Sequence, residues 1–225
     1  MAETARASTG SNRYVQYGCG LCAPPGWTNF DASPRLRLER LPGLGQLAEL
    51  TGRCLFPGNI AYGDIRRGLP LPDGSVDAIY ASHVLEHLSR NDVVLALANT
   101  YRLLRPNGVF RMIVPDLAWR AERYVRDRAG GRSATADEFI SALNIGELNR
   151  AKGANALLRS IFGHSGHLWM YDEPLMRSLL DQAGFVDIKR CTFHDSGDAM
   201  FDAVEERGRF FDDGHPELAM QAKKA

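Results

Sequence analysis

Small and polar residues follow four short apolar runs in the first part of the chain, and their types suit a nucleotide-like ligand. Glycine lets a backbone approach a ligand closely and adopt positive φ. A carboxylate can accept hydrogen bonds from both hydroxyls of a ribose or from an adenine amino group. Each feature alone is typical of an ordinary turn or helix cap, but their order favours a binding site. The residues are Gly18, Cys19 and Gly20, then Asp31, then Asp64 with Ile65, and finally Ser82 with His83.

The stretch Cys19-Gly20-Leu21-Cys22 also has the spacing of a zinc knuckle or a redox-active dithiol. A zinc site needs a second pair of ligands, whereas Cys54 and Cys191 stand alone in the sequence. A reactive dithiol is activated by the N-terminus of a helix, and Pro24-Pro25 disfavours a helix at this point. We therefore predict a ligand-binding turn rather than a cysteine site.

His83-Val84-Leu85-Glu86-His87 matches the H-x-x-E-H pattern of one class of zinc hydrolases. That chemistry requires both histidines in the middle of a helix, and here the pattern crosses from a strand end to a helix start. The sequence therefore predicts no metal site, and His87 is interpreted as a partly buried histidine with a structural role.

Alternating strand and helix patterns predict an α/β fold. Apolar runs at 14–17, 27–30, 60–62, 76–81, 109–114, 186–193 and 217–223 indicate strands, and the clearest helices begin at Ser89 and near Asp172. This alternation is typical of a Rossmann-like, mainly parallel sheet with helices on both faces. Ligands of such sheets bind at the carboxyl ends of the strands, where the four sets of polar residues lie.

The connection between the first two predicted strands is unusually short. Ten residues separate Gly20 from Asp31, and they include Pro24, Pro25 and Gly26. A parallel crossover that contains a full helix needs more than ~10–12 residues, so this helix is expected to be lost or reduced to a turn. We further predict a mobile tail over 1–12, a single domain over 13–225, and a helical cap over about 118–165, after the fifth strand.

The composition narrows the classes of partner. Lys plus Arg and Asp plus Glu each number 27 in 225 residues, and this balance gives no electrostatic footprint for nucleic acid. No apolar stretch is long enough to span a membrane or to form the core of a signal peptide. Four cysteines without an export signal fit a reducing cytoplasm. A small-molecule ligand in a cytoplasmic protein is therefore expected, and the oligomeric state remains open.

Five phrases of the sequence resemble the class I methyltransferases that depend on S-adenosylmethionine (SAM). They are "YGCG…GWTNFD", "YGDI", "LPLPDGSVDAIYASHVLEHL", "YRLLRPNGVFRMIVPD" and "HLWMYDEPLMRSLLDQAGF", and together they extend from about Tyr14 to Phe193. The resemblance is to a small-molecule branch with a GW-x-N-x-D second strand. It implies SAM as cofactor and S-adenosylhomocysteine (SAH) as product.

The resemblance also implies a role for each strand-end residue. Gly18, Cys19 and Gly20 would contact the methionine end of the cofactor, Asp31 the ribose, Asp64 and Ile65 the adenine, and Ser82 and His83 the sulfonium. In one position the chain departs from the family. Gln16 stands where an acidic residue is usual, and it brings no charge to offset the cofactor's ammonium.

Two histidines are candidates for a general base that prepares the acceptor. His167 lies in a glycine-containing loop where the chain returns from the predicted cap, and His83 is the second choice. Imidazole titrates near neutrality, so either histidine could accept a proton as the methyl group arrives. A structural role for His167 is equally compatible with the sequence. A nicotinamide-dependent oxidoreductase and a non-catalytic methyltransferase-like protein remain as alternatives.

Two charged segments are interpreted as solvated surface. One is the acidic segment 195–213. The other is a helix face with a basic run, for which an anionic substrate is the alternative: Arg120, Arg123, Arg126, Arg128 and Arg132.

Overall fold

A computed structural model describes residues 13–41, 55–146 and 166–225. The predicted tail over 1–12, Cys54, and the part of the predicted cap over 147–165 lie outside these residues. The strands are β1 (Tyr14–Tyr17), β2 (Trp27–Asp31), β3 (Ile60–Tyr62), β4 (Val76–Ser82), β5 (Leu104–Val114), β6 (Phe185–Arg190), β7 (Phe211–Asp212), β8 (His215–Pro216) and β9 (Leu218–Lys224). The helices are α1 (Pro34–Glu39), α2 (Arg90–Leu103), α3 (Leu117–Ala129), α4 (Thr135–Leu143), α5 (Glu173–Gln182) and α6 (Arg207–Phe210).

The main sheet has seven strands in the order β3-β2-β1-β4-β5-β9-β6. Strands β1 to β5 pair in parallel, and β9 lies antiparallel between β5 and β6. The prediction of a mainly parallel α/β sheet is confirmed. Because the order reverses at β1 and β4, the loops that follow these two strands diverge and leave room for a ligand.

One face of the sheet is covered by α2 and α5. Ser89 caps α2 by accepting a hydrogen bond from the Asp92 backbone N–H (3.2 Å), and Asp172 caps α5 in the same way through Leu175 (2.9 Å). The apolar sides of both helices pack on this face in one core, which includes Val93, Leu97, Met176, Leu180, Val15 and Phe110. None of the described helices is long and apolar enough to cross a membrane.

Strands β1 and β2 are joined by residues 18–26, which form turns and contain no helix. The expected loss of the first crossover helix is therefore confirmed. The sheet face that this helix would cover is packed instead against the connection between β6 and β9, residues 191–217. Trp27 donates from its indole nitrogen to the Met200 carbonyl (3.0 Å), and the Tyr14 hydroxyl donates to Asp198 (2.7 Å). Phe201 packs edge-on against the Trp27 ring.

The predicted cap begins with α3 and α4, which pack against each other. Arg120 of α3 is buried rather than solvated, because its guanidinium binds both carboxylate oxygens of Glu217 at 2.7 Å. Arg123 and Arg132 also pair with acidic residues, and Arg126 and Arg128 are exposed. The interpretation of the basic run as a solvated face is thus wrong for Arg120. The pairing of three of its arginines with carboxylates weighs against the anionic-substrate alternative.

A buried arginine fixes the 191–217 connection to the sheet. Arg111, on β5, is fully buried and donates to the Thr192 carbonyl (2.5 Å), to Asp195 (2.8 Å) and to the buried Glu205. Glu205 in turn accepts from the His194 backbone N–H (2.8 Å). The expectation that the acidic segment 195–213 is solvated surface is therefore wrong for Glu205, whose buried carboxylate pairs with a buried cation, and it holds for exposed carboxylates such as that of Asp213.

We expect Arg111→Met to destabilise the fold by about 3–5 kcal/mol, because it leaves the Glu205 carboxylate buried without its cation. The free energy of unfolding in urea measures the effect. Arg102→Met is the matched control: Arg102 pairs with Asp73 at the surface, and such pairs contribute about 0–1 kcal/mol. Equal losses in the two variants would contradict a structural role for the Arg111 network.

Candidate functional site

The turn after β1 has the backbone geometry that its glycines allow. Gly18 and Gly20 have φ values of +64° and +55°, in the left-handed region that favours glycine. Gln16 stabilises the turn from β1, because its amide donates hydrogen bonds to the Cys22 carbonyl (2.8 Å) and to the Asn29 side chain on β2 (2.6 Å). Gln16 therefore has a structural role at the position where the resemblance implied an acidic residue.

Asp31 joins this turn to the end of β2. Its carboxylate is 7% exposed and accepts from the backbone N–H groups of Gly20 (2.9 Å) and Ser33 (2.7 Å). A carboxylate oxygen can accept more than one hydrogen bond, so Asp31 retains capacity for a ligand hydroxyl. The Asp31 carbonyl also accepts from the Gly63 N–H (3.1 Å), which ties the ends of β2 and β3 together.

Asp64 and Ile65 follow β3 but do not line the pocket that the glycine turn borders. Both oxygens of the Asp64 carboxylate bind the Arg66 guanidinium, at 2.7 to 3.2 Å. This hydrogen bonding is the main cause that lowers the pKa of Asp64. The Ile65 side chain lies in the core. The structure thus brings Gly20 and Asp31 into contact and leaves Asp64 engaged with its own neighbour.

A narrow cavity of about 10 Å³, with room for little more than one water molecule, lies between the ends of β1 and β4. Within the described chain, the buried hydroxyls of Ser82 and Tyr80 have no hydrogen-bond partner, and both residues line this cavity. The 191–217 connection closes its outer side. The lining consists of Gln16, Tyr17, Gly18, Cys19, Cys22, Tyr80, Ser82, Val204, Glu206 and Arg209.

The cysteines in this cavity wall are not activated. Burial raises the pKa of Cys19 to about 12, and burial followed by the charge of Glu206 raises the pKa of Cys22. Both thiols are therefore protonated at neutral pH, and a thiolate is the form that binds metal or reacts. This state agrees with the prediction of a turn rather than a cysteine site.

His83 follows β4 with φ of +53° and uses both ring nitrogens. Nε2 donates to the Arg209 carbonyl (2.9 Å), and Nδ1 lies 3.1 Å from the Glu86 carboxylate. Burial disfavours the imidazolium, but the hydrogen bond to Glu86, the charge of Glu86 and the Arg209 carbonyl together outweigh it, and the pKa of His83 is raised. Both ring nitrogens face acceptors, so neither presents a free lone pair to a substrate, and this arrangement does not support His83 as a general base.

His167 lies beside Glu86 and His87, both from the short 3-10 helix Leu85–His87 that follows β4. The imidazole rings of His87 and His167 meet edge to face, with centroids 5.1 Å apart. Burial lowers the pKa of His167 more than the nearby charge of Glu86 raises it. Among the described residues, none makes a hydrogen bond with the buried Nδ1 of His167. The structure therefore separates the two sequence candidates, since His167 has a free nitrogen and His83 has none.

Comparison with known proteins finds a family match for part of the chain. Residues 42–112 match the model of a family described as a methyltransferase domain. A probable S-adenosylmethionine-dependent methyltransferase of Mycolicibacterium smegmatis is 44% identical over 57 residues, 24% of this chain and 21% of that protein. The chain thus matches about a fifth of the length of this curated relative.

A solved structure agrees with the fold. A SAM-dependent methyltransferase of Thermotoga maritima, described as a possible histamine N-methyltransferase, superposes with a TM-score of 0.50 and 15% identity. The superposition covers 96% of this chain and 84% of that one. A SAM-dependent methyltransferase of Archaeoglobus fulgidus has a TM-score of 0.48 and 17% identity, over 96% and 87% of the two chains.

Part of this chain, residues 42–112, is therefore similar to a methyltransferase domain. The matched region includes Asp64, Ser82 and His83, whereas the GW-x-N-x-D strand lies before it, and that branch assignment stays a prediction. Two further residues lie where the resemblance implied the methionine end of a cofactor. Glu206 and Arg209 border the cavity beside Gly18, although they are far from it in sequence. No local pattern singles them out, because they reach the cavity only through the packing of the 191–217 connection.

We expect Gly18→Ala to destabilise the protein more than Gly20→Ala. A Cβ at Gly18 would lie 2.3 Å from Val84 Cγ2, on a β-branched side chain that cannot rotate away freely. A Cβ at Gly20 meets nothing within 4 Å, so that variant bears only the backbone cost of about 1–2 kcal/mol. The crowding should add about 1–3 kcal/mol for Gly18→Ala, measured as the free energy of unfolding. Equal values would show that the Gly18 turn is looser than described.

Proposed function

We propose that this protein transfers the methyl group of SAM to a small-molecule acceptor. The observation that carries the proposal is the hydrogen bond from the Gly20 N–H to Asp31, which joins the expected ribose ligand to the glycine turn. Gly18 and Cys19 of the same turn line the cavity, whereas Asp31 itself does not. The unpartnered Ser82 hydroxyl in that cavity is a donor for the cofactor. The balanced charge of the chain argues against a nucleic-acid acceptor.

Glu206 and Arg209 are proposed to hold the amino-acid end of the cofactor. In this chain Gln16 contributes no charge, and no helix follows β1 whose N-terminus would bind the cofactor carboxylate. Glu206 supplies a carboxylate for the ammonium, and Arg209 supplies a guanidinium for the carboxylate. Their side chains lie 3.5 Å apart and are partly exposed, so each can turn to a ligand without burying an unpaired charge.

The methyl transfer itself is an in-line displacement on the sulfonium by an oxygen or nitrogen nucleophile. The protein contributes positioning, exclusion of water and, for a hydroxyl acceptor, a general base that accepts the proton. On the acceptor side we propose His167 as this group, because its Nδ1 is unengaged and burial favours the neutral ring. The nicotinamide alternative is not favoured by the family match.

The proposal predicts micromolar binding of SAH and much weaker binding of NAD, both measured by calorimetry. Equal heats for the two ligands, or none for SAH, would overturn it. A screen of hydroxyl- and amine-bearing metabolites with SAM labelled at the methyl group then tests turnover. Tight SAH binding with no transfer to any acceptor would instead favour the non-catalytic alternative.

Arg209→Gln and Glu206→Gln should each weaken SAH binding about tenfold or more, because each removes a charge-assisted hydrogen bond of about 1.5–3 kcal/mol. Methylthioadenosine, which lacks the amino-acid group, should bind the variants and the wild type equally. Arg207→Gln is the matched control: it lies on the same short helix and its guanidinium stacks 4.8 Å from the Phe211 ring. A similar loss for both ligands would show that the two residues only shape the cavity.

A further inference from the structure

Glu86, His87 and His167 form a compact group of metal-ligating side chains, which His83 links to Arg209 in the cavity wall. One ligand atom from each residue lies within 4.8 Å of the other two. Glu86 is fully buried, and within the described chain its Oε2 has no hydrogen-bond partner, nor has the buried His167 Nδ1. Leaving two such atoms unsatisfied is costly, and a shared cation would satisfy both.

Neighbouring groups already orient the possible ligand atoms. His87 Nδ1 lies 3.3 Å from the Gly166 carbonyl, which only accepts, so Nδ1 carries the proton and Nε2 presents its lone pair. His83 holds Oε1 of Glu86 and leaves Oε2 for a ligand. In metal sites, a ligating histidine usually donates its other ring N–H to a carbonyl or carboxylate. A ligating carboxylate usually accepts a hydrogen bond from a second donor.

We propose that Glu86, His87 and His167 bind one divalent transition-metal ion. Two imidazoles with one carboxylate suit borderline ions such as Zn²⁺, Fe²⁺ and Co²⁺, and do not suit Mg²⁺ or Ca²⁺, which prefer oxygen ligands. The sequence pattern H-x-x-E-H suggested a pair formed by His83 and His87. The structure instead brings His87 together with His167, about eighty positions away in sequence, and makes His83 an outer partner.

Three protein ligands leave at least one coordination position open. If the proposed methyl transfer holds, an ion there would polarise an acceptor oxygen, which is the chemistry that a metal supplies to a hydroxyl nucleophile. The His167 lone pair would then bind the ion and would not take the acceptor proton. Metal content, rather than turnover, therefore distinguishes the two roles of His167.

The test is the binding of Co²⁺ and Zn²⁺ to protein freed of metal with a chelator and held in buffer without SAM. We expect one equivalent per chain, with visible absorption bands for bound Co²⁺. His167→Ala and Glu86→Gln should each weaken binding by about 100-fold or more, since even outer partners contribute 10–100-fold. His215→Ala is the matched control, because this exposed histidine lies in the β7–β8 hairpin.

No binding by the wild type, or equal binding by the wild type and both variants, would overturn the metal site. Circular dichroism checks that each variant folds. If Glu86→Gln does not fold, His167→Ala alone tests the metal site, because the His167 side chain is partly exposed and its loss should be tolerated. SAH binding is titrated on the same samples. If the wild type binds SAH but no metal, the metal site alone is rejected. If the wild type binds metal but not SAH, the proposed function alone is rejected.

Discussion

The buried guanidinium of Arg111 is the interaction on which this version of the fold depends. The short link between β1 and β2 removes a helix that would cover one sheet face, and the 191–217 connection replaces it. That connection contains little regular structure of its own, so its position depends on fixed side-chain contacts. Arg111 supplies them by binding Asp195, Glu205 and the Thr192 carbonyl from a strand in the middle of the sheet.

This replacement changes which charged or polar groups border the cavity. A helix that starts after β1 would present free N–H groups to an anion without any side chain. Here the same end of the cavity is bordered by Glu206 and Arg209, which are full charges on a late part of the chain. If they bind the cofactor as proposed, that binding depends on the position of the 191–217 connection.

The sequence predicted the features that local chemistry determines. Glycines at 18 and 20 predicted the left-handed turn, the prolines at 24 and 25 predicted a crossover without a helix, and Ser89 predicted the start of α2. Features that depend on distant partners were not predictable in this way. Glu205 is one of several acidic residues in its segment and becomes distinctive only because Arg111 faces it. The group of Glu86, His87 and His167 likewise joins residues about eighty positions apart in sequence.

His83 connects the two sites. Its Nε2 holds the Arg209 carbonyl at the cofactor cavity, and its Nδ1 holds Glu86 in the histidine group. The left-handed backbone at this residue, rare for a side chain with a Cβ, directs the ring between the two. Such a conformation costs about 1–3 kcal/mol and persists only where its surroundings enforce it. A single strained residue at the end of β4 thus sets the spacing between the cavity expected to hold the methyl donor and the side chains expected to receive the acceptor.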